Sequence, residues 1–183
     1  PASHYTMSAN KNYWGTTGQI TSVQMPVITA SAVQRLELGN GQLDMVLHGL
    51  SKGDYEALAA GPDTEVLQGS ALVKAEVMVN PSSPVFASRD ARAALSAALD
   101  QNALTTQIFG AQGAPSTQFY PIGMLPDGAV PDKHDYDPSK LAAVGKAGGD
   151  VVIGFPTGDS SLQDLANQMQ VILQQAGLKA TVR

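Results

Sequence analysis

Hydrophobic and polar positions along this chain follow two periods, one typical of strands and one typical of helices. Alternating or β-branched apolar runs predict strands, and apolar residues repeated every three to four positions predict amphipathic helices. The predicted strands are His4–Asn10, Ser22–Val27, Leu43–Leu47, Glu65–Gln68, Leu72–Val79, Asp150–Phe155 and Leu178–Val182. Helices are predicted over Thr29–Leu38, Ser51–Ala60, a segment that begins at Ser88, Gln101–Phe109, Pro138–Ala147 and Asp159–Ala176. This mixture predicts an α/β fold.

Several predicted helices begin at a residue whose side chain can cap them. Ser51 and Asp100 precede two of these helices, and either Thr29 or Ser31 is expected to cap the first. Asp137 precedes Pro138, a residue that suits the first helical position because its fixed backbone angle is already helical. Between the helices, residues 110–138 are rich in proline and glycine and predict one long loop.

Composition and charge exclude several classes of protein. The 183 residues have a formal charge of −5, and the eleven lysines and arginines are scattered along the chain. A nucleic-acid partner is therefore not expected, since such binding needs a concentrated basic surface. The chain contains no cysteine, which excludes disulfides, thiolate metal ligands and thiol catalysis.

The sequence carries no motif of a common enzyme. The nucleophile elbow, the Walker A loop and the His-Glu-x-x-His motif are absent. The three histidines, at positions 4, 48 and 134, have no motif that links them to a nucleophile. We therefore expect no catalytic residues and no cofactor.

The densest polar cluster is formed by Asp132, His134, Asp135 and Asp137. Oxygen-rich spacing of this kind can hold Ca²⁺, but the glycine turn and the distal glutamate of an EF-hand are missing. Asp137 is better explained as a helix cap. We expect no metal site here.

Short motifs in chain order resemble a known family. They are Tyr13-Trp14-Gly15, the helix and turn Ala32–Asp44, the loop Asn80–Phe86, the helix start Arg89–Leu95 with Ala98-Leu99-Asp100, the segment from Tyr136-Asp137-Pro138 to Ala147-Gly148, and the segment from Phe155 to Leu178. In this order they resemble the family 5 solute-binding proteins of ABC transporters, which bind oligopeptides, dipeptides or nickel complexes. The chain departs from the family pattern at Gln42, where glutamate is usual, and at Val85, where proline is usual.

This resemblance implies a periplasmic-binding-protein-like type II lobe, with a mixed sheet flanked by helices. Residues 1–183 would be one lobe of a larger two-lobed protein. That protein would be a monomer outside the cytoplasm, in the periplasm or anchored on the outer cell surface as a lipoprotein. It would bind a peptide or related small solute between its lobes and deliver it to a membrane permease. The alternative is a stand-alone, non-catalytic interaction module that reuses this lobe.

The resemblance also implies where the ligand would bind. One segment contains His48 and Gly49, after a predicted strand, and another contains Lys74 and Glu76, in place of the family's tyrosine-rich cleft strand. Lys74 and Glu76 would pair with charged groups of a peptide, or would lie on a solvated strand face. His48 is either a ligand contact or an ordinary turn residue.

Two further side-chain sets have open interpretations. In the long loop, Phe119 and Tyr120 would either cover a bound peptide or pack the loop onto the core. Arg89 and Arg92 lie three residues apart and share a helix face. We expect them to bind Asp90 or a loop carbonyl rather than a ligand carboxylate.

Overall fold

The structure, a computed structural model, describes residues 3–69, 72–116, 119–121, 124 and 135–183. Within those ranges the strands are β1 (His4–Ser8), β2 (Ser22–Pro26), β3 (Asp150–Ile153) and β4 (Lys179–Val182). The α-helices are α1 (Ser31–Gly39), α2 (Lys52–Ala59), α3 (Arg89–Ala97), α4 (Gln101–Ile108), α5 (Ser139–Gly145) and α6 (Ser160–Gln175), and a 3₁₀ helix covers Gly110–Gln112. The predicted α/β class is confirmed.

The four described strands form two separate two-stranded sheets. Strands β1 and β2 pair in antiparallel fashion, with His4 opposite Pro26 and Ser8 opposite Ser22. Strands β3 and β4 are parallel, with Asp150 opposite Lys179, and α6 connects them. A parallel pair needs such a crossover, since a tight turn cannot bring two strands into the same direction. Both kinds of pairing are thus present, each in its own sheet.

Three predicted strands do not form in this chain. Residues Leu43–Leu47, Glu65–Gln68 and Leu72–Val79 belong to no β-ladder, and for these segments the prediction is wrong. An extended segment becomes a strand only when a neighbour supplies hydrogen bonds to its backbone. No described segment pairs with these three.

The main hydrophobic core of the described structure is formed by residues between positions 86 and 180. Its buried cluster contains Phe86, Ala91, Leu95, Ala98, Leu141, Met169, Leu173, Leu178 and Ala180. Helix α6 supplies Met169 and Leu173, and β4 supplies Ala180. Because apolar area removed from water is the main stabilising contribution, α3, α5, α6 and β4 form the stable body of the described structure.

Most predicted helix starts are confirmed in atomic detail. The hydroxyls of Ser51 and Ser88 and the carboxylate of Asp100 each accept a backbone N–H three residues further on. The first helix differs from the prediction. Its N-cap is Ala30, which has no polar side chain, and Ser31 is the first helical residue, whose hydroxyl bonds to the distant carboxylate of Asp54.

The start of α5 also differs slightly from its prediction. Pro138 occupies the N-cap position and the helix begins at Ser139. Asp137 still acts on this helix end, since its carboxylate accepts both the backbone N–H and the hydroxyl of Ser139. These bonds lower the pKa of Asp137, with the Ser139 hydroxyl as the main cause.

Candidate functional site

Two distant segments meet at Lys74, the residue that the sequence proposed as a ligand contact. The Nζ atom of Lys74 donates to the backbone carbonyl oxygen of Phe119 at 3.1 Å. It also lies 4.0 Å from Oε1 of Glu76. The Lys74 side chain is 17% exposed and that of Glu76 is 35% exposed. The pair is therefore partly shielded from water, which strengthens its electrostatic interactions relative to a fully solvated pair.

The bond from Lys74 reaches the backbone of a short aromatic segment, Phe119 and Tyr120. Phe119 and Tyr120 have ring centroids 5.2 Å apart in an edge-to-face arrangement, a favourable geometry for aromatic pairs. The Phe119 side chain is 76% exposed, and Tyr120 is also exposed. This exposure disagrees with the alternative in which the two rings pack the loop onto the core. Lys74, Glu76, Phe119 and Tyr120 together form what we call the Lys74 cluster.

The other two predicted contacts lie on the connection between α1 and α2. His48 is exposed, and Gly49 has a positive φ of 90°. Such a backbone conformation is easy for glycine and strained for residues with a Cβ atom. A Cβ placed on Gly49 would lie 3.5 Å from Nε2 of Gln34, in ordinary van der Waals contact. His48 and Gly49 thus form a turn beside the side chain of Gln34, in which His48 is exposed and Gly49 is half-buried.

A polar network next to this turn was not predicted from the sequence. The Asp54 carboxylate accepts hydrogen bonds from the Ser31 hydroxyl at 2.6 Å and the Ser51 hydroxyl at 2.9 Å. It also pairs with Nε of Arg35 at 2.7 Å. These donors lower the pKa of Asp54, and the Ser31 hydroxyl is the largest cause. Ser31 lies 23 residues before Asp54 in the chain, so no local motif could have revealed the pairing.

Two shallow depressions stand out on the described part of the surface. One, of about 170 Å³, is lined by Tyr55, Val66, Leu67, Gln68, Gly69 and Gln112. A second, of about 220 Å³, lies beside Tyr13 in the connection between β1 and β2. Both are smaller than typical small-molecule pockets of about 300–1,000 Å³. None of the predicted ligand contacts lines either depression.

The predicted role of Arg92 as a structural residue is confirmed. Its Nη1 atom donates to the carbonyl oxygens of Phe86 and Ala87 at 2.9 and 2.7 Å. These bonds hold the loop before α3 against the first turn of that helix. The guanidinium therefore satisfies loop carbonyls, as expected from its position on the helix.

The described ranges contain no group of three or more histidine, aspartate or glutamate side chains placed to hold a metal ion. Of the acidic cluster considered from the sequence, Asp132 and His134 lie outside the described residues. In the same part of the chain, no helix is both long enough and apolar enough to cross a bilayer.

Comparison with known families matches residues 1–183 to the bacterial extracellular solute-binding proteins, family 5, middle region. The chain belongs to this family. The family relationship suggested by the sequence motifs is thereby confirmed. Comparison with curated protein sequences finds no significant match.

Solved structures show the same fold for this family 5 chain. The periplasmic binding protein DppA from Helicobacter pylori, in complex with the peptide STSA, matches with a TM-score of 0.83 at 18% identity over 97% of this chain and 35% of that one. A dipeptide-binding protein from Pseudoalteromonas sp. SM9913, in complex with Met-Leu, matches with a TM-score of 0.76 at 16% identity over 98% of this chain and 37% of that one.

A third match is NikA from Brucella suis in complex with Fe(III)-EDTA, with a TM-score of 0.72 at 16% identity. The match covers 98% of this chain and 40% of that one. The family 5 chain thus spans well under half the length of these relatives. At such identities the likeness concerns the fold, and the predicted periplasmic-binding-protein-like fold is confirmed.

Proposed function

We propose that this chain is one lobe of the substrate-binding component of an ABC importer and that its protein binds peptides or related small solutes. The protein would work outside the cytoplasm as a monomer and release its ligand to a membrane permease. The ligand would lie between this lobe and a second one, and would contact both only when they close. Such differential contact is what allows a ligand to shift the population toward the closed form.

The single observation that carries the choice of ligand is the Lys74 cluster. Lys74 and Glu76 present opposite charges on one partly shielded surface, and Lys74 bonds to the backbone of Phe119, which forms an exposed aromatic pair with Tyr120. A peptide carries an ammonium group, a carboxylate and apolar side chains. Charge-assisted hydrogen bonds to its two ends would come from Glu76 and Lys74. Phe119 and Tyr120 would cover its side chains.

The ligands of the structural relatives support this choice. Two of those proteins are complexes with peptides, and a third holds Fe(III)-EDTA. All three ligands contain carboxylates. A cationic group such as Lys74 is the kind of side chain that a carboxylate-bearing solute requires.

The cluster is tested by charge removal in the longer protein that contains this lobe. Lys74→Met and Glu76→Gln each keep the side-chain length and remove one charge. We expect each to weaken the binding of a mixed pool of di- to pentapeptides by about tenfold or more, measured by titration calorimetry. Glu65→Gln is the matched control, since Glu65 is exposed in the same region of the chain, and it should change affinity by less than about twofold.

Two outcomes would contradict the proposal. If Lys74→Met and Glu76→Gln bind the pool as tightly as the unaltered protein, the Lys74 cluster does not bind peptide. If the unaltered protein binds no member of the pool, peptides are the wrong ligand class, and the interaction module becomes the better explanation.

A separate measurement tests whether these residues are one half of a binding site. The 183-residue chain alone offers an open surface, so we expect it to bind the same peptide pool far more weakly than the two-lobed protein. Calorimetry on the isolated chain checks this expectation. Micromolar affinity in the isolated chain would show that one lobe is sufficient and would contradict the proposal.

A further inference from the structure

The residues after the His48–Gly49 turn are hydrogen-bonded to the start of another helix through a serine. The backbone N–H of Ser51 donates to the hydroxyl oxygen of Ser31 at 2.7 Å. Ser51 lies two residues after Gly49, and Ser31 is the first residue of α1. This bond therefore fixes the end of the turn to the beginning of another helix.

Asp54 determines the orientation of both serine hydroxyls. One oxygen of its carboxylate accepts from Ser31 and from Ser51, at 2.6 and 2.9 Å. Because the Ser31 hydroxyl donates its hydrogen to Asp54, its lone pairs are free to accept the Ser51 N–H. The other carboxylate oxygen pairs with Arg35 on α1. Asp54 thus links α1, α2 and the turn between them.

A second contact supports the turn from α1. The Gln34 amide lies next to Gly49, and its Nε2 donates to the carbonyl oxygen of Ile28 at 2.6 Å. Gln34 is therefore held in place by the segment before α1. The turn therefore lies against a side chain that is itself hydrogen-bonded to the segment before α1.

From this geometry we propose that Asp54 is a positioning residue, which holds the His48–Gly49 turn in one orientation so that it can meet a ligand without rearrangement. The proposal rests on the proposed function in so far as this turn belongs to the ligand surface. Asp54 itself would not contact the ligand, because three partners already occupy its carboxylate. Holding such a turn in advance reduces the ordering cost of binding.

The test is Asp54→Asn, which keeps the shape of the side chain and removes one of its acceptor oxygens. Amide hydrogen exchange is measured residue by residue together with urea denaturation. We expect exchange at the Ser51 amide, which is hydrogen-bonded to the Ser31 hydroxyl, to become about tenfold faster, because that hydroxyl loses its charged partner. Exchange within α3 and α6 should stay unchanged. Asp63→Asn, at an exposed aspartate just after α2, is the matched control and should leave exchange unchanged both at the turn and within α3 and α6.

A second variant tests the same link from the other side. Ser31→Ala retains Asp54 but removes the oxygen that accepts the Ser51 N–H. It should accelerate exchange at the Ser51 amide by a similar factor. If neither variant changes exchange at this amide, Asp54 does not position the turn. If exchange rises equally throughout the lobe, Asp54 is a general stabilising residue, and the proposal is also overturned.

The peptide pool separates this inference from the proposed function. Both variants should weaken binding to the two-lobed protein by about threefold to tenfold. Faster local exchange with unchanged peptide affinity would show that the turn is outside the ligand surface and would overturn the proposed role. Failure of the unaltered protein to bind peptide would refute the proposed ligand class, while the exchange data alone would still decide whether Asp54 holds the turn.

Discussion

At the scale of single residues, short-range contacts and long-range contacts differ in how far the sequence reveals them. Ser51 and Asp100 cap their helices as expected, because each side chain bonds to a backbone N–H only three residues away. Asp54 was overlooked, because its main partner, Ser31, is distant in the chain. Ser31 shows the same limit of sequence patterns. It was one of two residues expected to cap α1, but its hydroxyl bonds to Asp54 instead.

Gly49 offers a test of backbone conformation at the candidate site. Its positive φ of 90° strains any residue with a Cβ atom, although there is space for that atom. We expect Gly49→Ala to lower the free energy of unfolding by about 1 kcal/mol. Urea denaturation measures this change.

Gly53 provides the control for that substitution. It lies in the first turn of α2, has no positive φ and has open space around its Cα. Gly53→Ala should therefore be neutral or should raise stability by about 0.5 kcal/mol, since alanine favours the helix. Equal losses in the two variants would refute the conformational explanation for Gly49.

At the scale of elements, helices and strands differ in what they require. Helix α6 forms its backbone hydrogen bonds within itself. Asp159 caps its start, and Gly177, which has a φ of 98°, follows its end. Its apolar stripe was therefore sufficient to predict it. The segment Leu72–Val79 has the composition of a strand but lacks a described partner. Composition expresses a tendency to pair, whereas the partner decides whether a strand forms.

The contact between α5 and α6 depends on one glycine. A Cβ on Gly145 would lie 1.6 Å from the carbonyl oxygen of Ala176, which belongs to the backbone and cannot rotate away. Gly145→Ala would force the two helix ends apart. We expect it to reduce the free energy of unfolding by about 3 kcal/mol, as measured by thermal or urea denaturation.

The matched control is Gly39→Ala. Gly39 is likewise the last residue of its helix, α1, but no atom lies within 4 Å of its Cβ position. We expect a change of less than about 0.5 kcal/mol. A tolerated alanine at Gly145 would mean that α5 and α6 do not approach each other as closely as described.

At the scale of the whole molecule, burial is distributed unevenly. The core cluster spans residues 86–180, whereas large apolar side chains in the first 80 residues are mostly exposed, with Trp14 at 92%. The part of the chain that carries His48 and Lys74 therefore adds little to the core. None of the candidate ligand contacts belongs to the buried core cluster.

This distribution of buried side chains predicts where replacing a side chain by alanine lowers the free energy of unfolding most. Leu173 on α6 is 2% exposed, and Val171 on the same helix is 44% exposed. Leu173→Ala should cost about 3 kcal/mol of unfolding free energy, because it removes buried contacts and leaves a cavity. Val171→Ala should cost less than about 1 kcal/mol. Comparable losses in urea denaturation would contradict the described location of the core.

The sequence by itself determined the family, the α/β class and most helix starts, because motifs, periodicity and caps act over a few residues. It also indicated Lys74 and Phe119 as separate candidates. Only the tertiary structure brought these two together, at 3.1 Å across 45 residues of chain, and only it linked Ser31 to Asp54. It also decided which extended segments became strands. Those outcomes depend on which distant groups meet in space, and pairing between distant segments leaves no local pattern in the sequence.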